Sequence, residues 1–402
     1  MGIFLNSAAP YSLYESEVKK PYFVDKSLML EELFLPAETG NSHICITRPR
    51  RFGKTVMANM VSAFFSRGVD STEIFSKLKI AESTGYKKHL NTHDVIRIDF
   101  SRMPRNCNSY DQYIERIERI LIQDLMETYP KAGIQEEDAV WDSLDLVYER
   151  YGGQRFIFVF DEWDCIFHKD FTTDEDKKKY ISFLSSLLKD KAYVLLSYMT
   201  GILPIAKYSS GSELNMFAEY TMVSEEKFSD AFGFTEAEVD MLYARFLKNT
   251  GKPLLSRSGL KEWYDGYHAK GGERIYNPRS VVMALTNNNL GNYWTSSGPY
   301  DEIYYYIEKN VAGVRNDLAL MVSGESVEVK VQEYAATSME LTTREEIFSA
   351  MVVYGFLSSE EGKVRIPNRE LMERFDEMLQ KEPSLGYVYR LARESKRMLE
   401  AT

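Results

Sequence analysis

The sequence has few cysteines and no long apolar run. Three of its 402 residues are Cys, and Cys45, Cys107 and Cys165 lie far apart, without the paired spacing of a metal site. We therefore expect reduced thiols, which favours a cytoplasmic protein. No apolar stretch approaches the eighteen residues of a transmembrane helix, and the first residues lack the basic region of a secretory leader, so neither a membrane span nor export is expected.

Positive charge is also in short supply. The chain carries 49 Lys and Arg against 60 Asp and Glu, a net charge of −11, which argues against a protein that coats nucleic acid. A local basic cluster at Arg48, Arg50, Arg51 and Lys54 is still compatible with a polyphosphate ligand. The length, with 44% hydrophobic and 27% charged residues and no internal repeat, is typical of a globular protein of two or three domains.

One stretch carries a specific chemical signal. A short, partly apolar segment, Ser42–Thr47, leads through residues 48–55 into a segment with helical apolar spacing. A loop that cradles phosphate needs a small residue where the backbone approaches the anion, a lysine for the β/γ charge and a hydroxyl for Mg²⁺. Gly53, Lys54 and Thr55 supply these in order. The stretch therefore predicts a strand, a phosphate loop and a helix.

The loop departs from the pattern G-x-x-x-x-G-K-[ST] at its first position, where Arg48 replaces glycine. A helix start with an ordinary surface lysine is the alternative. Two interpretations are open for Arg50 and Arg51. In the first, one of them acts on phosphate in the same or a neighbouring subunit. In the second, both belong to a basic loop that faces solvent. The residues predicted to contact the nucleotide here are Arg50, Arg51, Phe52, Gly53, Lys54, Thr55 and Val56.

A second motif follows about a hundred residues later. Five apolar residues, 156–160, end in Asp161 and Glu162. A buried parallel strand delivers Asp161 at its carboxyl end beside the phosphate loop, where Asp161 and Thr55 would hold Mg²⁺ and Glu162 would orient or deprotonate water. An acidic turn after an apolar strand is the alternative. The joint occurrence with Lys54 favours the nucleotide site.

Further apolar runs at 95–100, 193–199 and 220–223 predict strands, and helical patterns separate them. Parallel strands joined by helices require right-handed crossovers, so we predict a doubly wound parallel sheet of the P-loop NTPase type. Thr200 follows the strand at 193–199 and would sense the γ-phosphate, although a simple strand-to-turn Thr-Gly is the alternative.

Beyond residue 228 the pattern turns helical. Pro278 opens a helix at 279–286 and would border the adenine, or only start that helix. The tail predicts a strand at 326–331, a helix through 347–351 and a hairpin over 354–367, as in a winged-helix module, then helices at 369–380 and 387–400. The predicted domains are 1–228, the P-loop core; 229–310, a helical lid; and 311–402, a winged-helix-like α+β tail.

These residues resemble a known family, the bacterial AAA-ATPase-like proteins, related to archaeal ATPases whose loop reads G-P-R-R-x-G-K-T. The resemblance covers most of residues 20–300, and Arg48 is common in that family. It implies ATP and Mg²⁺ as ligands and, in many members, a following PD-(D/E)xK nuclease-like domain, which we expect to be absent here. The motifs that carry it are Arg48-Pro49-Arg50-Arg51-Phe52-Gly53-Lys54-Thr55, Tyr22-Phe23-Val24-Asp25-Lys26, Phe160-Asp161-Glu162-Trp163-Asp164, Thr200-Gly201-Ile202-Leu203-Pro204-Ile205 and Tyr276-Asn277-Pro278.

The leading hypothesis is thus a magnesium-dependent ATPase that acts as a nucleotide-dependent switch, with Lys54, Glu162 and Thr200 catalytic. The alternative is a non-hydrolysing ATP- or ADP-binding module coupled to a nuclease domain or another protein partner. Residues 328–330 have the ExK form of a nuclease centre, but an ordinary exposed strand is favoured there. DNA binding by residues 341–368 is not favoured because basic residues are few. The sequence does not indicate an oligomeric state.

Overall fold

The computed structural model describes residues 2–205, 213–222, 226–269, 272–294, 307, 313–331 and 341–380. By their internal contacts the residues fall into two units. The first comprises Met1–Thr47 and Lys54–Tyr220, and the second comprises Arg48–Gly53 and Thr221–Thr402. The short segment 48–53 therefore groups with the second unit, although it joins a strand and a helix of the first. The predicted division into three domains stays a prediction.

The first unit is built on a five-stranded parallel sheet in the order β2-β3-β4-β1-β5. All six residues of β3 are buried, as expected for an interior parallel strand with helices on both faces. The predicted doubly wound sheet is confirmed, and β4 lies between β1 and β3. The strands are β1 (Ser42–Thr47), β2 (Asp94–Asp99), β3 (Phe156–Asp161), β4 (Val194–Gly201) and β5 (Ala218–Tyr220).

Helices cover this sheet. Alternate residues of β3, namely Phe156, Phe158 and Phe160, join one apolar core with residues of α6, α7 and α8, so the residues between them face the opposite side. On that side α3 packs against β3 and α1. The helices are α1 (Ala9–Val18), α2 (Glu31–Thr39), α3 (Lys54–Phe65), α4 (Thr72–Phe75), α5 (Tyr86–His89), α6 (Tyr110–Thr128), α7 (Val140–Arg150) and α8 (Asp174–Leu188).

Side-chain caps explain where two of these helices begin. The Ser109 hydroxyl accepts a hydrogen bond from the backbone N–H of Gln112 at the start of α6. Thr173 and Asp176 form a reciprocal capping box at the start of α8. Both helices therefore begin directly after their capping residue.

The second unit contains helices and two small antiparallel sheets. Its helices are α9 (Glu236–Asn249), α10 (Arg257–Tyr264), α11 (Pro278–Asn287), α12 (Val314–Val322), α13 (Arg344–Tyr354) and α14 (Arg369–Gln380). Strands β6 (Tyr267–His268) and β7 (Arg274–Ile275) pair with each other. Strands β8 (Val327–Glu328), β9 (Ser358–Glu360) and β10 (Lys363–Arg365) form a sheet in the order β8-β10-β9.

The predicted tail of a helix followed by a hairpin is confirmed by α13, β9 and β10. The strand predicted at 326–331 is shorter, because β10 pairs with it only through Lys363 and Val364. The helix predicted at 387–400 lies outside the described residues.

The three cysteines carry free thiols. Complete burial raises the pKa of the Cys45 thiol well above its usual value. Within the described ranges, no helix is both long enough and apolar enough to cross a bilayer.

Candidate functional site

The carboxyl ends of β1, β4 and β3 meet at one edge of the sheet. Ile46 is paired with Thr200, and Met199 is paired with Phe160, the residue before Asp161. Because all three strands are parallel, Asp161 and Thr200 come to the same level. The chain leaving β1 at this level runs through residues 48–53 into Lys54, the first residue of α3.

Asp161 is the centre of a buried polar cluster. Its side chain is 1% exposed, and the Thr200 hydroxyl donates a hydrogen bond of 2.7 Å to Oδ1. Nη2 of Arg97 donates one of 3.0 Å to Oδ2, and Nη1 of Arg97 donates one of 2.9 Å to the carbonyl of Ile98. Both carboxylate oxygens are therefore held, and each keeps a lone pair for a further donor.

Lys54 shares a sheet face with this cluster. Successive strand residues point to opposite faces, and Phe160 points toward α6, α7 and α8, so Asp161 lies on the face that α3 covers. Lys54 begins α3 and is buried, with 5% exposure. The fold thus brings Lys54, Asp161 and Thr200 to one face and one edge of the sheet.

Two residues of the loop have left-handed backbone angles. Gly53 has φ of +94°, and a Cβ placed on it would meet no described atom within 4 Å. The backbone is therefore open to a ligand at this point, and glycine is required by its dihedral angle. Arg51 has φ of +73°, which is uncommon for a residue other than glycine, and successive N–H groups around such a residue form an anion-binding concavity.

The other predicted contact residues differ in exposure. Phe52 is buried, Arg50 and Val56 are half-buried, and Thr55 is exposed. Pro278 is the first residue of α11 in the second unit, where the Asn277 side chain caps the helix by accepting from the N–H of Ser280. Its position at a helix start is confirmed, and its contact with adenine stays a prediction.

Glu162 follows Asp161 with a left-handed φ of +52° and is half-buried. The next peptide ties the turn to β4, since the Trp163 N–H donates to the Thr200 carbonyl at 3.1 Å. This turn directs the chain out of β3 immediately after Asp161. The strand exit therefore fixes Asp161 in the cluster and leaves Glu162 accessible to solvent.

Two members of this edge were not predicted from the sequence. Arg97 lies in the middle of β2, and the only signal for it is a cation between apolar residues of a buried strand. Asp164 is 1% exposed, and its Oδ2 accepts from the N–H groups of Ile202 and Leu203 at 3.0 and 2.8 Å. Its signal is the acidic run after β3.

The oxygen donors at this edge fit Mg²⁺. A hydroxyl from Thr55 and a carboxylate from Asp161 are hard oxygen ligands of the kind that Mg²⁺ takes, and the ion commonly keeps several waters. Arg97 and Thr200 leave the Asp161 carboxylate able to accept from such a water. The residues present therefore suit Mg²⁺, which they would hold through oxygen atoms.

The chain is similar to one protein family and to one curated protein. The family model described as predicted AAA-ATPase, AAA-ATPase-like, matches residues 14–210, just under half of the chain. An uncharacterized protein in the vnfD 5' region of Azotobacter chroococcum mcd 1 is 26% identical over 282 residues, which is 69% of this chain and 51% of that protein. The chain thus spans about half the length of the curated relative it matches.

Two solved structures are similar over most of their length. The Walker-type ATPase of Pyrococcus abyssi is 12% identical with a TM-score of 0.46, covering 87% of this chain and 94% of its own. The ORC2 protein of Aeropyrum pernix, in its ADPNP–ADP complexes, is 13% identical with a TM-score of 0.42, covering 88% and 93%. Neither TM-score reaches 0.5.

Proposed function

We propose, from the premise that residues 14–210 belong to the predicted AAA-ATPase family, that this chain binds ATP with Mg²⁺ and hydrolyses it slowly as a nucleotide-dependent switch. The single observation that carries the proposal is the arrangement at the carboxyl edge. Asp161 and Thr200 are hydrogen-bonded there, on the sheet face covered by the helix that Lys54 begins. Open α/β sheets bind ligands at this edge.

Each residue has a distinct role in this proposal. Lys54 neutralises the β- and γ-phosphate oxygens, and the backbone around Gly53 approaches the phosphates. Thr55 and Asp161 would hold Mg²⁺, and Asp161 would do so through a water molecule. The ion, when bound, offsets the charge that develops on the phosphate oxygens. Preorganised charges of this kind are the main source of catalysis in phosphoryl transfer.

Glu162 is the residue we assign to the attacking water. Glu162 is half-buried and directly follows the residue assigned to Mg²⁺. There Glu162 accepts a hydrogen bond from the water and takes its proton as the water oxygen bonds to the γ-phosphorus. The bond from that phosphorus to the β–γ bridging oxygen breaks, and ADP and phosphate are released.

Thr200 is proposed to report the nucleotide state. Its hydroxyl donates to Asp161, so a change at the γ-phosphate that moves Asp161 alters this 2.7 Å contact. The carbonyl of the same residue accepts from the N–H of Trp163 in the turn that holds Glu162. Thr200 is thus placed to connect the Mg²⁺ residue with the water-positioning residue.

The rival function is a module that binds ATP or ADP without turnover and works with a protein partner or a nuclease domain in trans. It is favoured by the two protein donors that already hold Asp161, because they stabilise the carboxylate without any ion. The free thiols support a cytoplasmic location under either function.

Steady-state phosphate release separates the two functions. The wild type should release phosphate from MgATP, and Glu162→Gln should lose turnover while ATP binding is kept. Glu137→Gln is the matched control, because Glu137 is exposed in a loop away from the sheet edge, and it should behave as the wild type. A wild type that binds ATP without releasing phosphate would establish the rival, and unchanged release by Glu162→Gln would remove the assigned role.

A further inference from the structure

The phosphate loop is held at several points by side chains of the second unit, with which residues 48–53 group. At its first residue, Nη2 of Arg48 donates to the carbonyl of Phe228 at 3.2 Å, and the guanidinium lies 5.1 Å from the centre of the Phe232 ring. Arg48 is 2% exposed. The arginine that replaces the first glycine of the general motif therefore anchors the loop rather than facing solvent.

The next contacts involve Pro49 and Phe52. Gly355 has φ of +84°, and a Cβ on it would approach Cβ of Pro49 to 2.6 Å, so the Gly355 backbone packs closely against the Pro49 ring. The Phe52 ring lies edge-to-face on Tyr267, with centroids 5.0 Å apart. The Tyr267 hydroxyl donates to the carbonyl of Gly355 at 2.9 Å. This hydrogen bond connects the residue that contacts Phe52 with the residue that contacts Pro49.

Trp294 contacts the backbone of the loop at Arg50. Its indole Nε1 donates to the backbone carbonyl of Arg50 at 3.1 Å, and its ring lies edge-to-face on Phe356, with centroids 5.2 Å apart. Trp294 is 6% exposed. The indole is thus fixed by packing, with its single donor directed at the loop backbone.

Glu370 fixes the backbone of Trp294 in turn. Its carboxylate is 1% exposed, and Oε1 accepts from the N–H groups of Tyr293 and Trp294 at 2.5 and 2.7 Å. The Ser280 hydroxyl donates to Oε2 at 2.8 Å. Trp294 therefore links two hydrogen bonds in series, because its backbone N–H donates to the buried Glu370 carboxylate and its indole N–H donates to the Arg50 carbonyl.

These hydrogen bonds also determine the direction of the Arg51 N–H. The Arg50 carbonyl and the Arg51 N–H belong to one planar trans peptide, so fixing the carbonyl sets the opposite direction of the N–H. Arg51 has the left-handed φ of +73°, which a non-glycine residue adopts only when its surroundings hold it. The Arg51 N–H is one of the successive donors that such a loop aims at an anion.

We propose that Trp294 and Glu370 are positioning residues for the phosphate loop, which set the Arg50–Arg51 peptide so that its N–H faces the nucleotide phosphates. Neither residue touches substrate. The proposal rests on the proposed ATP binding and adds that residues of the second unit determine the affinity of the loop.

The test compares two Trp→Phe variants. Trp294→Phe keeps a ring against Phe356 and removes the donor to Arg50. Trp263→Phe is the matched control, because Trp263 packs under the Arg369 guanidinium at 4.9 Å instead. In calorimetric titration with MgADP, Trp294→Phe should raise Kd about 2- to 13-fold, the effect of one neutral hydrogen bond, and Trp263→Phe should leave Kd unchanged.

Amide hydrogen exchange without nucleotide gives a readout that is independent of ATP binding. Exchange of the amides at 50–53 should be faster in Trp294→Phe than in Trp263→Phe or the wild type. Glu370→Gln keeps an acceptor for both N–H groups and should bind MgADP as the wild type does, whereas Glu370→Leu should resemble Trp294→Phe.

The outcomes distinguish this proposal from the proposed function. Equal Kd values for Trp294→Phe and the wild type would overturn the positioning role while ATP binding stands. If amide exchange is faster in Trp294→Phe but the wild type binds no nucleotide, the proposed function is overturned, and the positioning role for phosphate binding is overturned with it. Unchanged exchange in Trp294→Phe would show that the Arg50 contact does not order the loop.

Discussion

Replacing Arg97 by Met should destabilise the protein strongly, because Arg97 is the cation that faces the buried Asp161 carboxylate. The pair is 3.0 Å apart, with side chains 8% and 1% exposed. Methionine keeps much of the volume and removes the charge. Asp161 is then left with the Thr200 hydroxyl as its remaining side-chain donor among the described contacts.

The expected magnitude follows from the burial. Removing one partner of a buried ion pair leaves an uncompensated charge and costs about 3–5 kcal/mol. Arg102→Met is the matched control, since Arg102 pairs at 3.1 Å with Asp99 but is 64% exposed. A pair exposed to this degree contributes at most about 1 kcal/mol.

Urea unfolding followed by circular dichroism measures both free energies. Arg97→Met should lower the unfolding midpoint far more than Arg102→Met, with similar slopes for all three proteins. If the two variants lose the same small free energy, then Asp161 does not depend on Arg97, and the buried cluster at the sheet edge is not organised as described.

Two further predictions concern binding and pH. Lys54→Ala should weaken binding of a fluorescent ATP analogue about 10- to 150-fold, which is the effect of losing a charged hydrogen bond. Lys88→Ala is the control and should bind normally, because the Lys88 side chain is 62% exposed. Equal Kd values for the two variants would contradict the phosphate role of Lys54. Burial lowers the pKa of His43 from 6.5 to about 4, so the unfolded chain takes up a proton first as the pH falls. As the pH falls from 6.5 to 4, the free energy of unfolding of the wild type should therefore decrease by about 1.4 kcal/mol per pH unit more than that of His43→Gln. Parallel curves of unfolding free energy against pH for the two proteins would contradict this.

The strands and their order of appearance could be predicted from the sequence. Residues 156–160 form a continuous apolar run that ends in two carboxylates, and the strand Phe156–Asp161 follows it closely. Such runs are informative because an interior parallel strand is buried on both faces. The location of the site at the carboxyl edge of the sheet could also be predicted, because parallel strands all end at the same edge.

The partners of the site residues could not be predicted. Arg97 meets Asp161 only because β2 pairs with β3 in a register that places Asp99 opposite Asp161, and neither the pairing nor the register is encoded locally. The contact from Trp294 to Arg50 spans 244 residues of sequence. No periodicity or motif connects two such distant positions, so the support of the phosphate loop becomes visible only in the fold.

The convergence of Lys54 and Asp161 on one magnesium-bound triphosphate is tested most directly by the effect of Mg²⁺ on ATP affinity. The measurement is the ratio of Kd in EDTA to Kd in Mg²⁺, for the wild type and for Asp161→Asn after circular dichroism shows that the variant is folded. We expect a ratio well above one for the wild type and a ratio near one for Asp161→Asn. The same large ratio in both proteins would contradict a shared magnesium-bound triphosphate at Lys54 and Asp161.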